Sequence, residues 1–509
     1  MRPNYYKNEI PMHKIFFTII ISLLYLNSYS QKHKQNNELI ADFEYLFASL
    51  KQSSISMDIY SEEHNVNIDS IYALLKSELV ENCTFNEFVK QSRILFNISA
   101  DLHNGFVSSG SFSSLLPYLP DDERKASLKR IDTTQYKKAD DNYLKVLSYN
   151  KSKRSCLKYI RFRYFKGKYI VLCTTIINGQ EIPYGSEIIK INGQNPNEIV
   201  KNNCNRYFLL KDIVSDNYYT YNLLDNLLEE RDTITISFIK PTGSVIESKI
   251  TTTSQISYKS TLLTLGFVNS VFYLKDEKLL YIKYTFLGYT SKLIDAIKKY
   301  KNKDIKKVVI DVRNNGGGSD LDWINLLSFV LDTFEIKGNP KLLIKNTEEV
   351  RSQFRNMIIY DSLENNRLLE IDNDILNYIK PNKNGLKYQG NIYCVVNRNT
   401  FSSALAFSSL NQYADKFKIV GSELPYYGGF GATPMYFMLP NSKLIYRISA
   451  SYDSKLFLTK RYRLFPDIFV EPNINEELDF KNKIIRRYKS KQHLIYDNPF
   501  LQTIIEQDI

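Results

Sequence analysis

The spacing of hydrophobic positions changes along the chain, and each change marks a predicted unit. From Asn37 to about Ile98, apolar residues recur every three to four positions, at Leu39, Phe43, Leu46 and Leu50 and again at Ile71, Leu74, Leu75 and Leu79, the period of one helix face. Thr84 and Glu87 stand three apart ahead of a further run, the spacing of a capping box. Asn104-Gly105 breaks the pattern, so a helical domain is predicted over residues 37–110. Residues 106–150 are polar and Ser- and Asp-rich, with weak periodicity. From Tyr159 to Thr253 short strands dominate, at Tyr169–Leu172, Glu187–Ile191 and Ile234–Phe238, with Asn192-Gly193 as a turn. A β-rich domain is predicted over 155–255.

From about Val271 the texture becomes strand–helix alternation. Leu279–Tyr284, Val308–Val312 and Ile392–Val396 are apolar runs, and Ser291–Lys301 is helical in period. Strands too hydrophobic to face water, alternating with helices, imply an α/β domain with helices on both faces of its sheet. It is assigned to 265–475. Residues 339–388 interrupt it as a polar, charged insertion, and 476–509 is expected to be a peripheral helical tail.

Bulk properties add little to this and remove several classes. A length of 509 residues suggests about three domains, and 43% hydrophobic with 24% charged residues is ordinary globular composition. No short-period repeat is present, which argues against solenoids and propellers. The net charge of +12 invites a nucleic-acid reading, but the lysines are dispersed, with no arginine-rich block and no recognition motif, so no nucleic-acid partner is expected.

The start of the chain carries a stronger signal. Lys14 precedes the apolar run Ile15–Leu26, followed by Ser28-Tyr29-Ser30. This is the pattern of a secretory signal peptide over 1–30, with Met1 or Met12 as the start. The run is too short to cross a core of about 30 Å, and no later segment is apolar enough to do so, so an exported protein, periplasmic or extracellular, is expected. Five cysteines at irregular spacing form no framework. Cys156 and Cys173 flank a candidate hairpin and are the pair best placed to bridge. No CxxC occurs and histidine is scarce, so neither a metal nor another cofactor is expected.

Two junctions carry chemistry. Asp311-Val312-Arg313-Asn314-Asn315-Gly316-Gly317-Gly318-Ser319 follows a buried strand and precedes the helical pattern Leu321, Ile324, Leu327 and Leu331. Its glycines let backbone approach a ligand closely, and amides at a helix start attract negative charge. Phosphate binding, an oxyanion hole or a plain tight turn would each fit; the spacing matches neither a P-loop nor a dinucleotide fingerprint. The second junction, Asn397-Arg398-Asn399-Thr400-Phe401-Ser402-Ser403-Ala404, puts a serine between a buried strand and a helix. Serine there is commonly just an N-cap. If the two strands are neighbours, however, glycine amides and a serine hydroxyl meet at one sheet edge, as acyl transfer requires.

In this order these residues resemble peptidase family S41, the C-terminal processing and tricorn-core type. The likeness rests on Asp311-x-Arg313-x-Asn315-x-Gly317-Gly318 and on Thr400-x-Ser402-Ser403-Ala404. Gly421–Gly431 resembles the family's Gly-rich loop and Pro466-Asp467 its terminal Pro-Asp. Ile182–Gly193 resembles part of its PDZ-like domain, and Asp101-Leu102-His103 the Asp-Gly-His segment of tricorn-like members. The resemblance implies a ClpP/crotonase-like α/β catalytic core, an N-terminal helical domain and a PDZ-like β-rich domain. It also implies Ser402 as nucleophile, with Ser403 and either Gly317 or Gly318 giving the oxyanion amides.

The sequence departs from the family in instructive places. No lysine stands about 25 residues after Ser402, which points to the His-using branch with His103 as base; His33, His64 and His493 lie in less suitable segments. Where tricorn-like members carry a Glu before Pro-Asp, Lys460 and Arg461 stand instead, leaving Glu423 and Asp101 as candidate orienting acids. The expected function is a serine endopeptidase acting on extended peptide or protein segments. The competing expectations are a cell-envelope peptide-binding scaffold that kept the fold without the chemistry, and, less well supported since Gly-x-Ser-x-Gly is absent, another acyl hydrolase.

Overall fold

The computed structural model describes residues 34–154, 160, 162–212, 215–220, 223–230, 233–251, 253–258, 269–285, 287–288, 290–422, 424, 426–470 and 498–507. The apolar leader and Cys156 lie outside the described residues, and Cys173 is a buried free thiol. No helix among the described residues is long and apolar enough to cross a membrane.

The predicted helical unit is present as helices over 34–53, Ile55–His64, Ile68–Glu81 and Phe85–Ile98. Thr84 Oγ1 accepts from the Glu87 amide at 3.1 Å, capping the last of these. Leu39, Phe43, Leu46, Leu50, Ile71, Leu75 and Leu79 are all buried in the main core, while Leu74 is 45% exposed. The polar stretch after Gly105 is not irregular. It forms helices Ser109–Leu115, Asp121–Arg130 and Tyr136–Arg154. The second of these buries only Glu123 and Ser127, both polar, so it leaves no apolar stripe to read.

Residues 162–258 form antiparallel sheets. Val245–Thr251, Thr233–Ile239, Glu187–Ile191, Lys168–Val171 and Phe162–Phe165 line up in that order, with helices Pro196–Asn202 and Leu223–Glu230 beside them. Asn192 and Gly193 turn the chain with φ of 49° and 81°, backbone values that Asn and Gly tolerate best.

The α/β unit is a six-stranded sheet. Ser270–Leu274 pairs antiparallel with Leu279–Lys283, and Lys307–Asp311, Ile392–Val396, Phe417–Gly421 and Ile468–Phe469 follow, all parallel. Side chains alternate between two buried faces. Leu280, Ile282, Val308, Ile310, Ile392, Cys394 and Val396 join the main core, which also holds buried residues of helices Thr290–Lys298, Asp320–Val330 and Ser403–Ser408. Leu279, Tyr281, Val309, Tyr393, Val395 and Val420 form a second cluster with Phe500, Leu501 and Ile504 of helix Pro499–Glu506.

The C-terminal helix therefore covers one sheet face and is not peripheral as expected. Lys307 Nζ donates to the carbonyls of Ile504, Ile505 and Gln507 at its end, a favourable place for a cation. The charged stretch 339–388 also has its own order: Ile359–Leu363, Leu368–Asp372 and Lys341–Lys345 make a four-stranded antiparallel sheet with Ser451–Asp453.

Phe500 is 3% exposed and its ring lies 4.4 Å from the Arg313 guanidinium. Phe500→Ala is expected to cost about 3–5 kcal/mol, read as a lowered urea-unfolding midpoint of the sheet domain against wild type.

Candidate active site

The two glycine- and serine-bearing loops leave the C-terminal ends of adjacent parallel strands, Lys307–Asp311 and Ile392–Val396, in direct register. They are stitched together. The Asn314 amide donates to Asn397 Oδ1 at 2.9 Å, and Asn397 Nδ2 donates back to Asn314 Oδ1 at 3.0 Å. Asn399 Nδ2 donates to the same Asn314 oxygen at 2.8 Å. Thr400 Oγ1 donates to the Val312 carbonyl at 3.1 Å and the Phe401 amide to the Asn315 carbonyl at 3.0 Å.

Beneath these loops, Asp311 is 1% exposed and meets Arg313 through two parallel bonds, Nε to Oδ1 at 3.0 Å and the guanidinium to Oδ2 at 2.6 Å. Tyr281 also donates to Oδ2, at 2.5 Å. Burial would raise the Asp311 carboxyl, but the Arg313 charge and these donors outweigh it and hold the group below its ordinary value.

Ser402 caps helix Ser403–Ser408 with φ 57° and ψ −131°, outside the wells open to an L-residue. Such a conformation costs about 1–3 kcal/mol and persists where surroundings enforce it. Gly317 leaves room for it: a Cβ there would sit 2.6 Å from Ser402 Cβ and 3.0 Å from the Ser403 nitrogen. The Gly317 amide, however, is already engaged, donating to Asn315 Oδ1 at 2.9 Å. Gly317 thus differs from the expectation that it offers an oxyanion donor. Among the described residues, the Gly318 and Ser403 amides have no such acceptor.

His103 reaches this point from the helical unit. Strand Gly105–Val107 pairs with Ile445–Ile448, and Asn104 Oδ1 accepts from the Ser449 amide at 2.7 Å, so the turn holding His103 is pinned at both ends. Its Nε2 lies 2.8 Å from Ser402 Oγ and its Nδ1 2.8 Å from Asp101 Oδ1. Phe401 stacks on the ring with centroids 4.7 Å apart. Burial would push the Asp101 carboxyl up. The His103 charge and the hydrogen bonds from its ring and backbone, the latter at 2.7 Å, prevail and hold it below the usual carboxylate value. Hydroxyl, imidazole and carboxylate thus form one chain, the arrangement that can turn a serine into a nucleophile.

The chain opens on a cleft of about 270 Å³ bounded by Leu115, Phe401, Leu405, Tyr427, Phe430 and Tyr436 among others. Asp320, overlooked in the sequence, lines it. Asp320 Oδ1 accepts from Ser403 Oγ and from Trp323 Nε1, the latter at 3.0 Å, and burial raises its carboxyl above the ordinary value. An acid opening the helix after a Gly-rich turn was a readable signal, yet it fits dipole complementation equally well. Glu423 lies outside the described residues. Lys460 pairs with Glu62 at 3.0 Å and Arg463 with Glu63 at 2.6 Å, so the stretch before Pro466-Asp467 faces the helical unit.

Residues 278–470, which hold both loops, match the profile of peptidase family S41. The matched segment is an S41 peptidase segment, and the match supports a serine-type peptidase. Asp101 and His103 stand outside the matched segment. Mature CPAF superposes with a TM-score of 0.52 at 12% identity, over 90% of this chain and 99% of that one. CPAF complexed with lactacystin gives 0.53 at 12% identity, over 91% and 100%. At such identity the likeness speaks for the fold alone. The photosystem II D1 C-terminal processing protease covers 89% of this chain and 98% of its own at 12% identity, but its TM-score of 0.39 carries no argument. A comparison with curated proteins finds no match.

Two substitutions probe the surroundings of Ser402. Gly317→Ala is strained at φ 104° and drives a methyl into Ser402; it is expected to abolish labelling of Ser402 by a fluorophosphonate probe and to lower the melting temperature. The second concerns Asp453, whose Oδ2 accepts from the Phe430 amide at 3.1 Å in the wall. Burial pushes its carboxyl up to about 6, against the hydrogen bonds from Leu456 and Phe430. A raised folded value means that its stabilising contribution is complete below the unfolded value of about 3.9 and is lost as pH rises through about 6. Asp453→Asn cannot ionise. Its unfolding free energy, read from urea melts, is expected to gain on that of wild type between pH 4 and pH 7, by at most about 1.4 kcal/mol per pH unit; a gap independent of pH would contradict this.

Proposed function

We propose that the protein is an exported serine endopeptidase that cleaves extended or unfolded peptide segments through a Ser402 acyl-enzyme. The observation that carries this reading is the single hydrogen-bonded line from Ser402 Oγ through His103 to Asp101. His103 accepts the hydroxyl proton as Ser402 attacks the peptide carbonyl, then returns it to the leaving amine. Asp101, acting from the same turn, keeps Nδ1 protonated and stabilises the imidazolium, and so takes the place of the acid absent before Pro466-Asp467. The amides of Gly318 and Ser403 receive the charge that develops on the carbonyl oxygen. Water then hydrolyses the ester with His103 as base.

The antiparallel unit 162–258 is read as a PDZ-like domain that holds an extended segment by adding it as a strand. Its position supports this: Arg398 of the serine loop donates to the Tyr164 carbonyl of that unit at 2.7 Å. The signal-peptide pattern of residues 15–30 supports export.

Ser402→Ala is expected to abolish cleavage of an unfolded reporter protein and fluorophosphonate labelling, with the melting temperature kept, since alanine retains the Cβ and the same backbone. His103→Gln is expected to lower kcat by about 10³–10⁴-fold or more, and Asp101→Asn by about 10²–10⁴-fold. Full cleavage by Ser402→Ala would end the peptidase reading. Absence of labelling in wild type, with peptide binding intact, would favour the scaffold.

A further inference from the structure

We propose that Arg447 is a specificity-determining residue that receives a peptide carboxylate beside the scissile bond. The inference rests on the peptidase reading of the cleft and names a feature of its substrate.

Arg447 sits in strand Ile445–Ile448, opposite Gly105 on one side and Tyr436 on the other. Gly105 is two residues past His103, so the arginine stands on the wall next to the imidazole, and it lines the same cleft as Ser402. Its side chain is half-buried. Elsewhere in the molecule, several arginines at this depth or deeper meet carboxylates: Arg130 with Glu349, Arg206 with Glu78, Arg313 with Asp311, Arg398 with Asp212 and Arg463 with Glu63. Among the described residues, the Arg447 guanidinium has no hydrogen bond and no ion pair.

The other charges lining the cleft are committed. Asp101 is held by His103, and Asp320 by Ser403 and Trp323. What remains among the described residues lining the cleft is a permanent cation with five donors in a planar fork, half-buried in the wall. Partial removal from water without a counter-ion is unfavourable, and an incoming carboxylate relieves it through paired charge-assisted bonds. A neutral amide of the same shape offers one acceptor and no charge. Two sources supply a carboxylate on a peptide: an Asp or Glu side chain near the cut, and the free C-terminus of a short substrate.

The test uses the full chain and a fluorogenic peptide cut in a Ser402-dependent manner. Asp/Asn and Glu/Gln pairs are placed at each position flanking the cut, and C-terminal acid is compared with C-terminal amide. Wild type is expected to favour the acid member at one location by about tenfold or more in kcat/KM. Arg447→Gln should bring that ratio to near one, and Arg447→Lys should retain part of it. The location, side chain or C-terminus, identifies the source. Ratios near one at every location in wild type, or a ratio that survives Arg447→Gln, overturn the proposal.

Binding of the same peptides, fluorescein-labelled, to the Ser402→Ala chain reads the preference without turnover. Acid-selective binding lost in Ser402→Ala/Arg447→Gln, with no cleavage by wild type, keeps the subsite and removes the peptidase reading. Cleavage without acid preference does the reverse. Circular dichroism of each variant separates loss of the fork from loss of the fold.

Discussion

The site depends on the lock between two loops. Asn314 and Asn397 exchange hydrogen bonds, Asn399 adds another, and Thr400 and Phe401 tie the serine loop to the backbone of Val312 and Asn315. Parallel register brings the two strand ends side by side, but register alone would leave two mobile turns. The asparagine network ties them together, with Gly317 too close to Ser402 to carry a Cβ and the Ser402 backbone in a region costing about 1–3 kcal/mol. Such conformations survive only where several contacts over-determine them, and several are present.

A second layer supports the first. The Asp311–Arg313 pair, with Tyr281 and the Phe500 ring, fills the space under the glycine loop on the sheet face covered by the C-terminal helix. A buried ion pair of this kind is weak evidence of net stability, since desolvation opposes it. Its geometric effect is clearer: two parallel bonds and an aromatic lid leave the turn after Asp311 little freedom. Asn315 extends the same control upward, as its side chain bonds both the Tyr284 carbonyl and the Gly317 amide.

The imidazole and carboxylate that line up with Ser402 come from elsewhere in the chain. Asp101 and His103 lie about three hundred residues before Ser402, in a turn held by Asn104 and by the strand pairing of Gly105–Val107. The helical unit is therefore part of the site. Its packing is continuous with the α/β core, and Asp42 fastens it by accepting from the Asn441 and Ser442 amides. Placing the acid two residues from the imidazole, with its backbone bond to the His103 amide, makes the orientation of the ring a local property of one turn.

Much of this was written in the sequence because it depends on local chemistry. Continuous apolar runs between helical periods gave the buried strands, the Gly-Gly-Gly and Ser-Ser junctions gave the loops, and the lack of a suitably placed lysine pointed to His103. Other features carried no local signal. The helices after Gly105 bury too little apolar surface to show a stripe, and the C-terminal segment reads as peripheral until Phe500, Leu501 and Ile504 meet the sheet. The contact of Asp101 with His103, the engagement of the Gly317 amide by Asn315 and the lack of a partner for Arg447 among the described residues came from the tertiary structure alone. Each depends on which groups lie within about 3 Å of one another across long sequence separations, a distance that composition and periodicity do not encode.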